Sequence, residues 1–187
     1  MGDRRSEILS AAERLVRGRG YSGFSYADLS ETIGIRKPSI HHHFSTKEEL
    51  VLAVLEQYRL RYADQLALIT KAHANALDQI EAYGKLYLEG ARQGLGCLCA
   101  ALNAEREVVP AALNVGVNSF FGEHLEWLSR GLAEGQNRGD ITRRLSATQG
   151  ANLILATLEG ALLVQRAIDG SDSITMNLAS LRVTLAA

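Results

Sequence analysis

Apolar residues near the start of the chain recur every three or four positions and nowhere settle into alternation, which is a helical pattern. Ile8, Ala11, Ala12, Leu15 and Val16 form one stripe and predict a helix from about Arg4 to Arg17, stopped by Gly18 and Gly20. Ser25 then reads as an N-cap with Asp28 in the capping-box place, opening a short helix that carries Leu29 and Ile33 inward. Gly34 ends it, because glycine turns at positive φ without strain. A second short helix is predicted from about Lys37, with Pro38 in its first turn, where the missing N–H costs nothing. Ser45, with Glu48 three residues on, is expected to cap a long fourth helix carrying Leu50, Val54, Leu55, Tyr58 and Tyr62.

Further helices are predicted over 76–93, 98–107, 111–137, 146–169 and 173–185, with breaks at Gly94-Leu95-Gly96 and Arg138-Gly139-Asp140. The expected fold is therefore all-α, a three-helix head on a larger helical body. No Gly/Ser spacer follows the head, so the two are continuous, divided at residues 1–47 and 48–187.

Two short helices joined by a tight turn are the ingredients of a helix-turn-helix, here running from Ser25 to Phe44. Leu29, Ile33, Ile35 and Ile40 are spaced to build its core, and Ser30 is small where the helices cross. The second helix would then present Arg36, Lys37, Ser39, His41, His42 and His43 outward, a face suited to the ~12 Å major groove of DNA. Consecutive residues on a helix point about 100° apart, so three adjacent histidines cannot cage one ion, and no metal site is assigned.

Charge adds little. The net charge is −1; residues 1–50 hold eight Lys/Arg against seven Asp/Glu, and the remainder holds twelve against fourteen. Local geometry must carry the case for nucleic acid. At 47% hydrophobic and 22% charged, the chain has the balance of a soluble globular protein. Charge or glycine interrupts the apolar stretches before about 18 residues, so no membrane span is expected. With no secretory segment at its start, the chain is expected in the cytoplasm. Cys97 and Cys99 lie too close for an easy disulfide and are too few for structural zinc, which suits a reducing compartment. No GxSxG, Walker A, GxGxxG or HExxH occurs, so neither an enzyme nor a cofactor is expected.

The head resembles that of the TetR family of repressors. Gly20, Ser25, Leu29, Ser30, Gly34, Ile35, His43, Phe44 and Lys47 match that family's pattern, and Pro38 and Ser39 match a common variant. His41 and His42 depart from it, standing where the family usually has Tyr or Trp. The resemblance implies that Lys37, Ser39 and His41 face bases or nearby phosphates, with Tyr26, His42, His43 and Lys47 on the DNA backbone. Ser25 is either a plain helix cap or a phosphate contact. It further implies a homodimer reading an inverted-repeat operator, and a small-molecule effector bound in the body.

Within that body, 146–169 carries Ala147, Ala151, Ile154, Leu155, Leu158, Ala161, Leu162 and Gln165, with Gly150 and Gly160 permitting close approach. Leu178, Leu181 and Leu185 add to this face, which serves either as the dimer surface or as packing within one subunit. Tyr58, Tyr62, Tyr83, Tyr87, Phe120, Phe121 and Trp127 make an apolar pocket plausible, with Asn103, Glu105 and His124 as polar candidates beside it. The run from Gly96 to Glu105 is similar to a "GC…L…AE" segment in a TetR subgroup that includes regulators of electrophile, quinone and drug resistance. A thiol near a helix start gains thiolate character, so Cys97 is a candidate sensor, against the plainer reading of a small buried hydrophobe. The effector is accordingly expected to be apolar or electrophilic.

Overall fold

The computed structural model describes residues 4–168 and 170–187, all-helical apart from turns and one isolated bridge between Ile141 and Ala186. Residues 1–3 and Asp169, the last position of the helix expected over 146–169, lie outside the described residues. The helices are α1 (Arg4–Arg19), α2 (Tyr26–Ile33), α3 (Lys37–His43), α4 (Lys47–Ala72) and α5 (Ala76–Arg92), followed by α6 (Leu98–Ala104), α7 (Ala111–Arg138), α8 (Ala147–Ala167) and α9 (Ser173–Leu185).

Local chemistry explains most of the boundaries. Ser25 Oγ accepts from the N–H groups of Ala27 and Asp28, and Asp28 Oδ2 accepts from Ser25 N–H at 2.8 Å, a complete capping box. Gly34 closes α2 in the left-handed region at φ 67°. Pro38 lies in the first turn of α3. α6 stops at Ala104, short of the expected 107, and the starts or ends of other helices also differ from expectation. α1 runs through Gly18 and stops at Gly20, since one helical glycine costs only about 1 kcal/mol. α4 is capped by Thr46, whose hydroxyl accepts from Glu49 N–H at 3.1 Å, while the Glu49 carboxylate accepts from Ser45 N–H. Glu49 rather than the expected Glu48 answers Ser45, and the cap itself falls on Thr46.

Packing divides the chain into two compact units. The first holds the residues up to Arg61 together with Cys97–Phe120, and the second holds Tyr62–Gly96 with Phe121–Ala187. The first unit thus extends beyond residue 47. Leu50, Val51, Val54, Leu55 and Tyr58 of α4 are buried in the same unit as the head, and α6 packs on α1. The core of the head rests on Leu29, Ile40 and Phe44, all 2% exposed or less, and on Phe24. Ile33 and Ile35, expected inside, are only half-buried. Ser30 Oγ donates to the Ile35 carbonyl and latches the turn.

In the second unit α5, α8 and α9 pack on one another. Ala151, Ile154, Leu155, Leu158, Ala161 and Leu162 are buried inside this unit, which settles them as subunit core. The opposite side of α8 leaves Leu153, Leu163, Val164 and the capping Ile168 exposed, as α9 does Met176 and Val183. By length and composition α8 is apolar enough to cross a membrane, which the interruption of apolar runs did not lead one to expect. Its buried face is nonetheless committed to packing against α5 and α9.

Space around Gly34 is open, so a methyl group there meets nothing and the cost of substitution is that of the backbone alone. Gly34→Ala is expected to lower unfolding free energy by about 1–2 kcal/mol, and Gly34→Asn by less, in chemical denaturation.

Candidate nucleic-acid interface and ligand cavity

With Ile40 fully buried, the helical step points Pro38 and His42 most directly away from the core, with Ser39 and His41 on the flanks. Arg36, Lys37, Pro38, His41 and His42 are exposed, while Ser39 and His43 are half-buried. Pro38, expected as a helix starter and a match to a family variant, also stands on the outward ridge. The His42 and His43 rings meet edge-on at 5.5 Å.

Phe24, Ser25, Tyr26, Lys37, His41 and Lys47 line an open recess of about 350 Å³ beside the start of α2. Five of these were singled out from sequence. The Tyr26 hydroxyl reaches the carbonyls of Phe44 at 3.0 Å and Thr46 at 2.7 Å, so its one proton is spent within the chain. Burial and the Glu49 carboxylate push the Tyr26 phenol up to about 12. Its ring lies 4.7 Å from that of His41, whose Nδ1 is 3.3 Å from the Ser45 carbonyl. Tyr26 therefore joins α2 to the turn between α3 and α4.

Lys47 is held as firmly. Its ammonium donates to the Phe24 carbonyl and sits 4.6 Å from the Tyr21 ring centre and 4.3 Å from that of Phe24. Partial burial lowers its pKa, opposed by the carboxylates of Glu105 and Asp28.

Glu105, a pocket candidate by sequence, is found against the head instead. Its Oε2 accepts from Ser22 N–H at 2.9 Å. A Cβ at Gly20, where φ is +81°, would lie 2.1 Å from the other carboxylate oxygen. Burial alone would raise the Glu105 pKa, but hydrogen bonds from Ser22 and the Tyr21 backbone, with Lys47 nearby, hold it below the usual carboxylate range.

The aromatic set divides between the units. Tyr58 and Phe120 pack 5.5 Å apart in the core of the first, with the Arg17 and Arg61 guanidinium groups over the Tyr58 ring. Asn103 is exposed on α6; Cys97 caps that helix at 7% exposure, and Cys99 is fully buried. In the second unit Tyr62 and Tyr83 pack on His124, Tyr87 and Trp127 pack on Tyr83, and Phe121 is half-buried.

There a cavity of about 500 Å³ opens between α4, α5 and α7. Of the residues proposed from sequence as ligand contacts, Trp127 lines it, beside the polar candidate His124. Trp127 Nε1 donates to Thr70 Oγ1 at 2.9 Å, which fixes the indole. Behind the wall runs a hydrogen-bonded chain: His124 Nδ1 lies 2.7 Å from Tyr83 Oη, Tyr83 Oη lies 3.1 Å from Tyr87 Oη, and Tyr87 donates to Glu159 at 3.2 Å. One proton order bonds every link: Nδ1–H to Tyr83, Tyr83 to Tyr87, Tyr87 to Glu159. Burial lowers the His124 pKa to about 4, keeping the imidazole neutral.

A short outward helix held by a capped partner helix defines a helix-turn-helix DNA-binding protein. Residues 8–54 match the profile of bacterial regulatory proteins of the tetR family. The crystal structure of a TetR-family transcriptional regulator from Agrobacterium tumefaciens superposes with a TM-score of 0.93 at 31% identity, covering 98% of this chain and 97% of that one. The chain belongs to the TetR family. It is also similar to the HTH-type transcriptional repressor NemR of Escherichia coli, at 29% identity over 86% of this chain and 83% of NemR. The reduced form of E. coli NemR superposes with a TM-score of 0.83 at 26% identity, covering 98% of each chain.

An imidazole titrating near 6.5 when unfolded and near 4 when folded makes the unfolded chain bind more protons between those values. Stability therefore falls as the pH is lowered through that window, by about 2 kcal/mol at pH 5 relative to neutral pH. Denaturation followed from pH 7 to 5 should show this loss, and His124→Gln should flatten it.

Proposed function

We propose that the chain is a dimeric transcriptional repressor that leaves its operator when a small molecule occupies the second unit. The observation that carries this reading is the outward ridge of α3 beside an open recess edged by Lys37 and His41, on a chain of the TetR family. Lys37, Ser39, His41 and His42 are assigned to base edges and nearby phosphates, together with Arg36 and Pro38. His43 and Ser25 flank the backbone. Tyr26 and Lys47 act chiefly by holding α2 and α3 in register, since their polar atoms are engaged within the chain. The protein is read as a binding protein rather than an enzyme, working in the cytoplasm where its DNA lies.

Dimerisation is assigned to the exposed apolar stripe of α8 and α9. Leu163 is 68% exposed, Met176 68% and Val183 82%, and such a patch is characteristic of an interface. Two subunits related by a twofold axis would set two heads on an inverted repeat. α4 supplies Leu50, Val51 and Val54 to the core of the first unit and Leu66 and Thr70 to the cavity. A ligand that shifts α4 would change the spacing of the heads, to the extent of its differential affinity for the two states. The burial of Cys97 does not favour direct attack by an electrophile.

Fluorescence anisotropy with DNA from upstream of the gene should show sequence-specific binding with a steep salt dependence. Lys37→Ala should reduce that slope by about one per subunit. Binding indifferent to sequence at moderate salt refutes the reading. Leu163→Glu should yield a folded monomer by ultracentrifugation, with operator affinity down at least tenfold.

A further inference from the structure

Most of the polar groups that line the cavity between α4, α5 and α7 are already engaged or open to water. Trp127 donates to Thr70, and the Thr70 hydroxyl donates in turn to the Leu66 carbonyl at 3.0 Å. His124 is buried and neutral, with Nδ1 paired to Tyr83. The charged side chains at the mouth, Glu123, Glu126, Arg130 and Glu134, are exposed to solvent, where charge selects little. Glu134 is moreover paired with Arg138.

Gln79 is the exception. It is only 8% exposed, and its Nε2 donates to the His73 carbonyl at 2.7 Å. A carbonyl accepts only from a donor, so this bond fixes which end of the amide is nitrogen and turns Oε1 the other way. That oxygen accepts no hydrogen bond among the described residues. It faces Gly131, where a Cβ would lie 3.1 Å from it, and both residues line the cavity. A buried acceptor with a fixed direction, reached through the gap left by a glycine, calls for a donor from outside the chain.

Around this acceptor the lining is low and apolar. Ala63, Leu66 and Ala67 share a face of α4 with Thr70, which holds the edge of the indole, and Gly131 lies one turn beyond Trp127 on α7. A flat ring against Trp127 therefore meets methyl groups and the Leu66 side chain. The space of about 500 Å³ lies in the range of small-molecule sites.

We propose that this cavity binds a neutral, planar aromatic molecule bearing an O–H or N–H donor, with its ring against Trp127 and its donor on Gln79 Oε1. This rests on reading the second unit as the effector-binding part of the chain. It narrows the apolar effector expected from sequence, and it gives Gly131 a part in recognition, since a side chain there would cover the acceptor.

Equilibrium dialysis against the full chain compares three related molecules. 2-Naphthol has the donor and the flat ring, 2-methoxynaphthalene has the donor capped, and decahydro-2-naphthol carries the donor on a puckered body. 2-Naphthol should bind more tightly than either by about tenfold or more, although its methyl ether is the more lipophilic. Gly131→Ala sets a methyl group over the acceptor, inside a helix that alanine suits better than glycine. Its thermal midpoint should hold or rise while the affinity for 2-naphthol falls to that for the ether. Gln79→Met should lower the affinity in the same way, and the Gly131 variant decides if Gln79→Met fails to fold. Equal binding of the ether or of the saturated alcohol overturns the proposal. So does a preference that survives Gly131→Ala, or no binding of 2-naphthol at all. Release of operator DNA is scored separately. Selective binding of 2-naphthol without release would leave the site standing and refute its role as the effector site.

Discussion

Seven residues of helix cannot hold themselves together in water, and α3 has no more than that. Everything it presents to a partner depends on neighbours that fix it from below. Ile40 is fully buried, and Leu29, Phe24 and Phe44 of the same unit are buried with it. Burying such groups contributes roughly 1.5–3 kcal/mol each, enough to order a helix that propensity alone would leave frayed. The polar latches are additions to that core. Tyr26 reaches over to the carbonyls after α3, Ser30 closes the turn before it, and Lys47 reaches back to Phe24.

The same constraint explains why the first unit does not end with the head. A small three-helix group buries little surface, and here it gains α6 and the first third of α7. Glu105 makes that addition specific. Its carboxylate sits where two backbone N–H groups and the Lys47 ammonium converge, so the segment that follows α6 is fastened to the turn between α1 and α2. A displacement of α6 would be felt first at that turn.

What could be read from the sequence was what is local. The Ser25–Asp28 cap, the Gly34 turn, Pro38 and the order of helices all depend on residues within a few positions of one another, and all are present as expected. Elements went astray where distant residues decide. Glu105 finds its partner 83 residues away, which no periodicity encodes. The aromatic residues share helical spacing, yet the chain path sends Tyr58 and Phe120 to one core and Tyr83 and Tyr87 to another. α8 is apolar on two sides, and pattern alone does not say which side α5 and α9 will cover.

Gly20 and Glu105 have a consequence for how this sequence can change over time. The glycine is needed twice, once for a left-handed backbone and once because any side chain would occupy the seat of the carboxylate. Losing the acid would relieve the second requirement and leave the first. Losing the glycine would push the carboxylate from its seat and weaken its hold on the turn between α1 and α2, leaving α6 to its packing on α1. Drift at these two positions is therefore one-directional, and descendants of this chain would be expected to surrender the acid before the glycine.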